Sequence, residues 1–111
     1  GKRFTQDLRR CSAKPSAPVA HCLEAVGTLL GLPDPVGKSA KALMGNRKEF
    51  FQKVVHYDRD AVGEALEDRM QPLLESADFH PQTLAPLSPA CAALCQWVHT
   101  VMNYYFLGTA A

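Results

Sequence analysis

The sequence predicts an all-α fold, a compact bundle of about six short helices, on three observations. Apolar residues recur at three- and four-residue spacing along most of the chain. Small polar residues followed by a proline or an acid stand where those runs begin. Nowhere does the sequence alternate apolar with polar residues or carry an Asn-Gly hairpin signal. At 111 residues the chain is one domain, long enough to bury a core without staples.

Each element has its own signal. In residues 1–13, Phe4, Leu8 and Cys11 form a narrow apolar seam on a polar helix. So short a helix needs a partner. Lys14-Pro-Ser-Ala-Pro18 interrupts it. A second helix starts with Ser16 as N-cap and Pro18 in the first turn, and Val19, Cys22, Leu23, Val26, Leu29 and Leu30 form its apolar stripe. Gly31 as left-handed cap and Pro33 as terminator end it. A short third helix runs from Lys38 to Met44 and ends at Gly45. Asn46 with Glu49 reads as a capping-box start, and Phe50, Phe51, Val54 and Val55 give a stripe to about Tyr57. Asp60 is expected to cap the next helix, buried along Val62, Leu66, Met70, Leu73 and Leu74, with Pro72 bending its last turn. Phe79-His-Pro81 opens a single turn through Leu84, closed by Pro86. Ser88-Pro89 starts the longest helix, with Cys91, Leu94, Cys95, Val98, Val101, Met102 and Tyr105 on one side and no stop before Gly108.

The first and last segments both want a partner and stand at the two ends of the domain. Their simplest arrangement is an antiparallel two-helix stem, with the seam of residues 1–13 meeting the last helix near Tyr105. Residues 14–103 then form the globule and residues 104–111 begin the second stem helix.

Composition removes several function classes. Hydrophobic content of 47% and charged content of 21% are those of an ordinary globular domain. A net charge of +1 announces neither nucleic acid nor an anionic membrane as partner. No apolar run approaches the roughly 18–20 residues of a membrane span. The charged start lacks the apolar region of a signal peptide, and a first residue other than Met suggests a piece of a longer chain. Four cysteines are too few for a disulfide scaffold of this length and fit a reducing setting.

Three constellations resemble chemistry and fail on spacing or context. Gly31-Leu-Pro-Asp-Pro-Val-Gly-Lys-Ser39 ends like a phosphate-binding loop, yet it has one residue too many between its glycines. Pro33 and Pro35 also lack the N–H groups that such a loop aims at phosphate. Cys91, Cys95 and His99 share a helix face with His21 and Cys22 elsewhere, but the cysteines fall on an apolar stripe and no CxxC knuckle accompanies them. His56-Tyr-Asp58 ends a helix, where histidine complements the dipole, and no nucleophile elbow is present. The expectation is a domain with no catalytic residues, no cofactor and no metal. Charge is distributed more tellingly: Lys38, Lys41, Arg47, Lys48 and Lys53 stand against the single acid Glu49. Asp58, Asp60, Glu64, Glu67, Asp68 and Glu75 then follow. Such a division gives a near-neutral domain a polar field, although charge runs are commonly no more than a solvated face.

Ser88-Pro-Ala-Cys-Ala-Ala-Leu-Cys-Gln-Trp-Val98 followed by Tyr104-Tyr105 resembles the SxAxxxLCxWVxxxxxY signature of the last globular helix in dynein heavy-chain stalk tips. Lys14-Pro-Ser-Ala-Pro-Val-Ala-His-Cys-Leu-Glu-Ala-Val-Gly-Thr-Leu-Leu30 resembles the first tip helix of that family. Ala40-Lys-Ala-Leu-Met-Gly45, Phe50-Phe-Gln-Lys-Val-Val-His-Tyr-Asp58 and Phe79-His-Pro81 fall between them in family order. The resemblance covers nearly the whole chain. It implies a microtubule-binding domain at the tip of an antiparallel coiled-coil stalk, of axonemal and outer-arm type, whose motor ATPase lies elsewhere. In such domains the first, third and sixth tip helices face tubulin, and sliding of one stalk helix on the other changes affinity for the microtubule. Lys14, Lys38, Lys41, Arg47, Lys48 and Lys53 are the residues so implied to hold the acidic track.

Three departures from the family pattern stand out. Ser16 replaces the second proline of the kink, and Val36-Gly37 stands where a Trp is usual. Leu84, Ala85, Pro86 and Leu87 occupy the approach to the last helix, where many relatives are basic. That apolar segment reads either as a staple for the last helix or as a docking patch for a leucine-rich-repeat light chain, such as one class of outer-arm dyneins carries.

Overall fold

Proline and glycine mark most of the joints between the helices. The computed structural model describes residues 2–110, without the side chains of Ser39 and Ala110. Gly1 and Ala111, the outer ends of the expected first and last segments, and the side chain of the GKS serine lie outside the described residues. Within them the order is α1 (Lys2–Ala13), α2 (Ala17–Leu29), α3 (Lys38–Gly45), α4 (Arg47–Val55), a 3-10 turn (Arg59–Ala61), α5 (Glu64–Leu74), α6 (Pro81–Leu84) and α7 (Pro89–Ala110). The all-α bundle read from periodicity is the one observed.

Several caps stand where the sequence puts them. Ser16 is extended at the start of α2, with proline in the first turn, although its side chain makes no capping bond. Gly31 takes the left-handed conformation at φ 78°, a region costly for other residues. Asn46 Oδ1 accepts from the Glu49 N–H at 3.1 Å, and Asn46 Nδ2 donates to Glu49 Oε2 at 3.2 Å. Ser88 Oγ accepts from the Cys91 N–H at 3.1 Å, capping α7.

Three local expectations are corrected. Asp60 caps nothing: Asp58 accepts its N–H at 3.0 Å, the turn closes over Arg59–Ala61, and α5 starts only after Gly63. An aspartate side chain reaching two residues ahead makes such a turn before a helix can start. Val55 is 72% exposed rather than part of the core, because α4 ends there. Gly108 does not stop α7, which runs to Ala110. A lone glycine costs a helix only about 1 kcal/mol and breaks it reliably only with help from its neighbours.

The core is built on α2 and α7. Val19, Cys22, Ala25, Val26 and Leu29 of α2 are buried against Cys91, Leu94, Cys95, Val98, Val101 and Met102 of α7. Phe50, Met70, Phe79 and Leu84 enter the cluster from the other elements. Trp97 is half-buried with its ring edge-on to Tyr57 at 5.5 Å, and the Tyr57 hydroxyl donates to the Leu29 carbonyl at 2.9 Å. The linker after α2 folds back on it. A Cβ added at Gly27 would stand 2.9–3.0 Å from Pro35 atoms, so the contact requires glycine there.

The partner of α1 differs from the expected one. Its seam meets the start of α7, not the region of Tyr105. Leu8 and Cys11 are buried, and Cys11 Sγ lies 3.5 Å from Cys91 Sγ. Tyr105 instead donates to Glu67 at 3.2 Å, across to α5. The reason is polar. Asp7 Oδ2 accepts from Ser88 Oγ at 2.6 Å and from the Ala90 N–H at 2.9 Å, while Arg10 donates to the Leu87 carbonyl at 3.1 Å. A carboxylate delivered to the N-terminal end of α7 satisfies an orphan N–H and the helix dipole together, which a seam of three apolar residues cannot predict.

Candidate functional site

The cations singled out by sequence lie on α3, α4 and the joint that precedes α2. Lys14, Lys38, Lys41, Arg47, Lys48 and Lys53 are all exposed. Ala40, Leu43 and Met44 anchor α3 from its other side, and Phe50 anchors α4. The two helices pack against each other, with Asn46 shared as the last cap of one and the first of the next. The ion pairs among the described residues are Arg10 with Asp7 and, when the imidazole is protonated, His21 with Asp78, and neither involves any of the six. Exposed cations outside the ion pairs of the described residues keep their charge available to an anionic surface.

The structure adds a residue to this set. Arg9, on α1, lines an open cleft with Lys41, Ser12, Ala13 and Gly45, and its guanidinium donates to the Gly45 carbonyl at 3.4 Å. Arg9 was legible only as one of several cations on a stem helix. Its placement beside α3 follows from the docking of α1, which the sequence does not reveal. Next to it, Ser12, Pro15, Leu23, Pro35 and Met44 line an apolar cleft over the joint. Lys48 borders a further cleft with Phe51, Gln52 and Val55.

The acids are held elsewhere. Asp60 and Glu67 accept hydrogen bonds from Tyr104 and Tyr105 at 3.3 and 3.2 Å. Helix α5 packs on α2, whereas α3 packs on α1 and α4. The charge division read along the sequence is therefore carried by different parts of the bundle.

The chemistry-like constellations resolve into structure. The Asp34 carboxylate crowds Gly37, with Oδ2 only 1.6 Å from where a Cβ on that glycine would stand. Negative charge is thus already placed before the N-terminus of α3, where a phosphate-binding loop would put its ligand. All four cysteines are free and buried. Burial pushes the Cys95 thiol up to about 12, which keeps it protonated and weakly nucleophilic. Among the described residues no group of three or more His, Cys, Asp and Glu side chains is placed to hold a metal.

The apolar segment before α7 divides in two. Leu84 is 0% exposed in the core, and its carbonyl accepts from Leu87 and Ser88 N–H groups at 2.9 and 2.8 Å. It therefore staples α7 and offers no docking surface. Ala85, Pro86 and Leu87 are exposed, Leu87 to 41%. The docking segment expected from sequence thus loses its first leucine to the core, and the light-chain reading finds no support.

Comparison with known proteins gives this arrangement its context. Residues 14–109 match the family described as the microtubule-binding stalk of dynein motor. The chain belongs to that family. Dynein axonemal heavy chain 1 of Mus musculus is 31% identical over 77 residues, which are 69% of this chain and 2% of that protein. Dynein axonemal heavy chain 14 of Homo sapiens is 29% identical over 96 residues, 86% of this chain and 3% of that one. The ciliary dynein beta chain of Heliocidaris crassispina is 28% identical over 109 residues, 94% of this chain and 2% of its own length. The chain thus spans a few per cent of the relatives it matches. It is the microtubule-binding stalk part of a dynein and not its catalytic part. The family match begins at Lys14, at the proline joint, and takes in α2 through nearly all of α7.

Proposed function

We propose that this dynein stalk domain holds the microtubule through Lys14, Lys38, Lys41, Arg47, Lys48 and Lys53. The observation that carries the assignment is that all six are exposed and none enters an ion pair among the described residues. Tubulin presents acidic residues to its partners. Cations on a short, rigid helix pair steer encounter and fix orientation at little entropic cost. On this reading residues 1–13 and 104–111 belong to the two stalk helices and residues 14–103 are the tip, with α1 resting on the start of α7 rather than on residues 104–111. The parent protein is an ATP-driven motor of the axoneme in cilia and flagella, in keeping with the axonemal and ciliary names of the relatives. Movement of α1 against the tip carries the stalk's register to the binding surface through the contacts of Asp7 and Arg9.

Co-sedimentation with microtubules over a salt series tests the surface. Affinity should fall steeply as salt rises. Replacing Arg47, Lys48 and Lys53 together by Ala should weaken binding about tenfold or more, at roughly 0.5–1 kcal/mol per exposed charge, and flatten the salt dependence. Binding indifferent to salt, or unchanged in the triple variant, overturns the assignment.

A further inference from the structure

Arg9-Arg-Cys-Ser12 closes α1 immediately before the proline joint, and the function proposed above does not use its serine. Two arginines two and three residues ahead of a serine are the pattern that a kinase with an acid-lined substrate groove reads, since each guanidinium pairs with a carboxylate of the groove. We infer that Ser12 is a phosphorylation site for a basophilic serine/threonine kinase, and that its phosphate is held in cis by Arg9 and Lys41.

Access comes from the position of Ser12. Its side chain is partly exposed in the last turn of α1, and every residue from Ala13 to Ala17 is exposed. Kinases bind their substrate segment extended, so this last turn has to open. Opening it lifts Cys11 from the core and frees Arg10 from Asp7 and the Leu87 carbonyl, so modification follows the local opening of α1 at its proline joint. In the transfer, Ser12 Oγ forms a bond to the γ-phosphorus of ATP as the bond from that phosphorus to the β,γ-bridging oxygen breaks. ADP leaves with that electron pair, and the hydroxyl proton passes to the kinase's catalytic carboxylate.

The destination of the phosphate is already built. Ser12 lines a cleft of about 240 Å³ with Arg9, Lys41, Ala13 and Gly45. Among the described residues the Arg9 guanidinium reaches the Gly45 carbonyl, at 3.4 Å, and Lys41 is exposed without an ion pair. A phosphate carries about −1.5 to −2 charges and three strong acceptor oxygens, which suit one guanidinium and one ammonium. It also removes the hydroxyl that now donates to the Arg9 carbonyl at 3.2 Å, and it puts negative charge at a helix C-terminus, which loosens the last turn of α1. Lys41 is thereby withdrawn from the track, a consequence that rests on the surface proposed above.

The purified domain is incubated with ATP and a kinase of that specificity, and the product is mapped by mass spectrometry. Close to one phosphate per chain should appear at Ser12. Incorporation should vanish in Ser12→Ala and slow at least tenfold in Arg9→Ala. Equal incorporation in Ser12→Ala, or none in the wild-type domain, overturns the site. Phosphorus NMR titration then examines the cradle: the second phosphate pKa, ordinarily about 6, should lie lower in the wild type and return toward 6 in Lys41→Ala. An unmoved value refutes the cradle. In co-sedimentation the phosphorylated domain should bind microtubules several-fold more weakly. Should the site and cradle hold with affinity unchanged, Lys41 is not part of the track surface. If unmodified protein shows no salt dependence, it is the surface proposal that fails, and the modification site stands.

Discussion

Replacing Asp7 by Ala removes the contact that ties α1 to the start of α7. Its side chain is only 17% exposed, and Oδ2 accepts from Ser88 Oγ at 2.6 Å and the Ala90 N–H at 2.9 Å. The Arg10 pair, at 2.5 Å, adds little because Arg10 is 63% exposed. Hydrogen bonds to a charged acceptor contribute about 1.5–3 kcal/mol each, and loss of a helix cap costs about 0.5–2 kcal/mol. Water entering the vacated site offsets part of this, which leaves about 2–3 kcal/mol for Asp7→Ala. For a chain of this length that is a fall of roughly 8–15 °C in Tm. Asp7→Asn keeps one acceptor oxygen and should lose about half as much.

Protonation makes the same change without mutation. Burial alone raises the Asp7 pKa, but hydrogen bonds from Ser88, the Ala90 N–H and Arg10 outweigh it and hold the carboxyl below its ordinary value of 3.8. A folded pKa lower than the unfolded one means that the unfolded state takes up protons first as pH falls. The Asp7 contribution is therefore complete above the unfolded pKa and disappears as pH drops through the folded one. Urea unfolding of wild type, Asp7→Asn and Asp7→Ala between pH 7 and pH 2.5 reads both effects. The wild type should converge on the Asn variant below about pH 4. A loss under 0.5 kcal/mol in Asp7→Ala at pH 7, with parallel acid limbs, would refute the trans cap.

Other outcomes follow from packing and burial. Leu84→Ala should destabilise by about 2–5 kcal/mol because the side chain is fully buried, whereas Leu87→Asp should change Tm little; thermal melts showing the reverse would restore a docking role to Leu84. Gly27→Ala, stabilising by helix propensity alone, should instead lower the urea midpoint, because the new methyl meets Pro35 at 2.9 Å; a gain in stability would show that the linker yields. The thiols of Cys91 and Cys95, pushed up to about 12, should react with a disulfide reagent at pH 8 only as fast as the domain opens, and a rapid stoichiometric thiol would contradict their burial.

Helix identity was legible because nearly every joint carries proline, glycine or a capping side chain. Ser16, Gly31, Asn46 and Ser88 each announce a boundary by local chemistry. The start of α5 was missed because Asp58 and Asp60 compete for one cap, and side-chain reach decides between them. Exposure of Lys48 and Lys53 was legible because both are offset from the apolar line of α4, whereas Arg47 only begins that helix and Lys14 stands in the joint before α2. Arg9 and Ser12 were not: their meeting with Lys41 depends on where α1 docks. That is a tertiary contact between residues far apart in sequence, and no periodicity records it.

The docking of α1 also changes what a shift of that helix would entail. A seam of Phe4, Leu8 and Cys11 is permissive, because apolar surfaces exchange partners at small cost; Phe4 meets Phe51 only as tilted rings 5.5 Å apart. The polar contacts are not permissive. A helix sliding by one residue moves about 1.5 Å along its axis, enough to carry Asp7 out of bonding range of Ser88 and Ala90, now at 2.6 and 2.9 Å. It would also strand the Ser88 hydroxyl, which is fully buried, and an unsatisfied buried polar group costs about 1–3 kcal/mol. Intermediate positions of α1 are therefore unfavourable. Its apolar seam sets which surfaces it rests on, and Asp7 makes that resting place discrete.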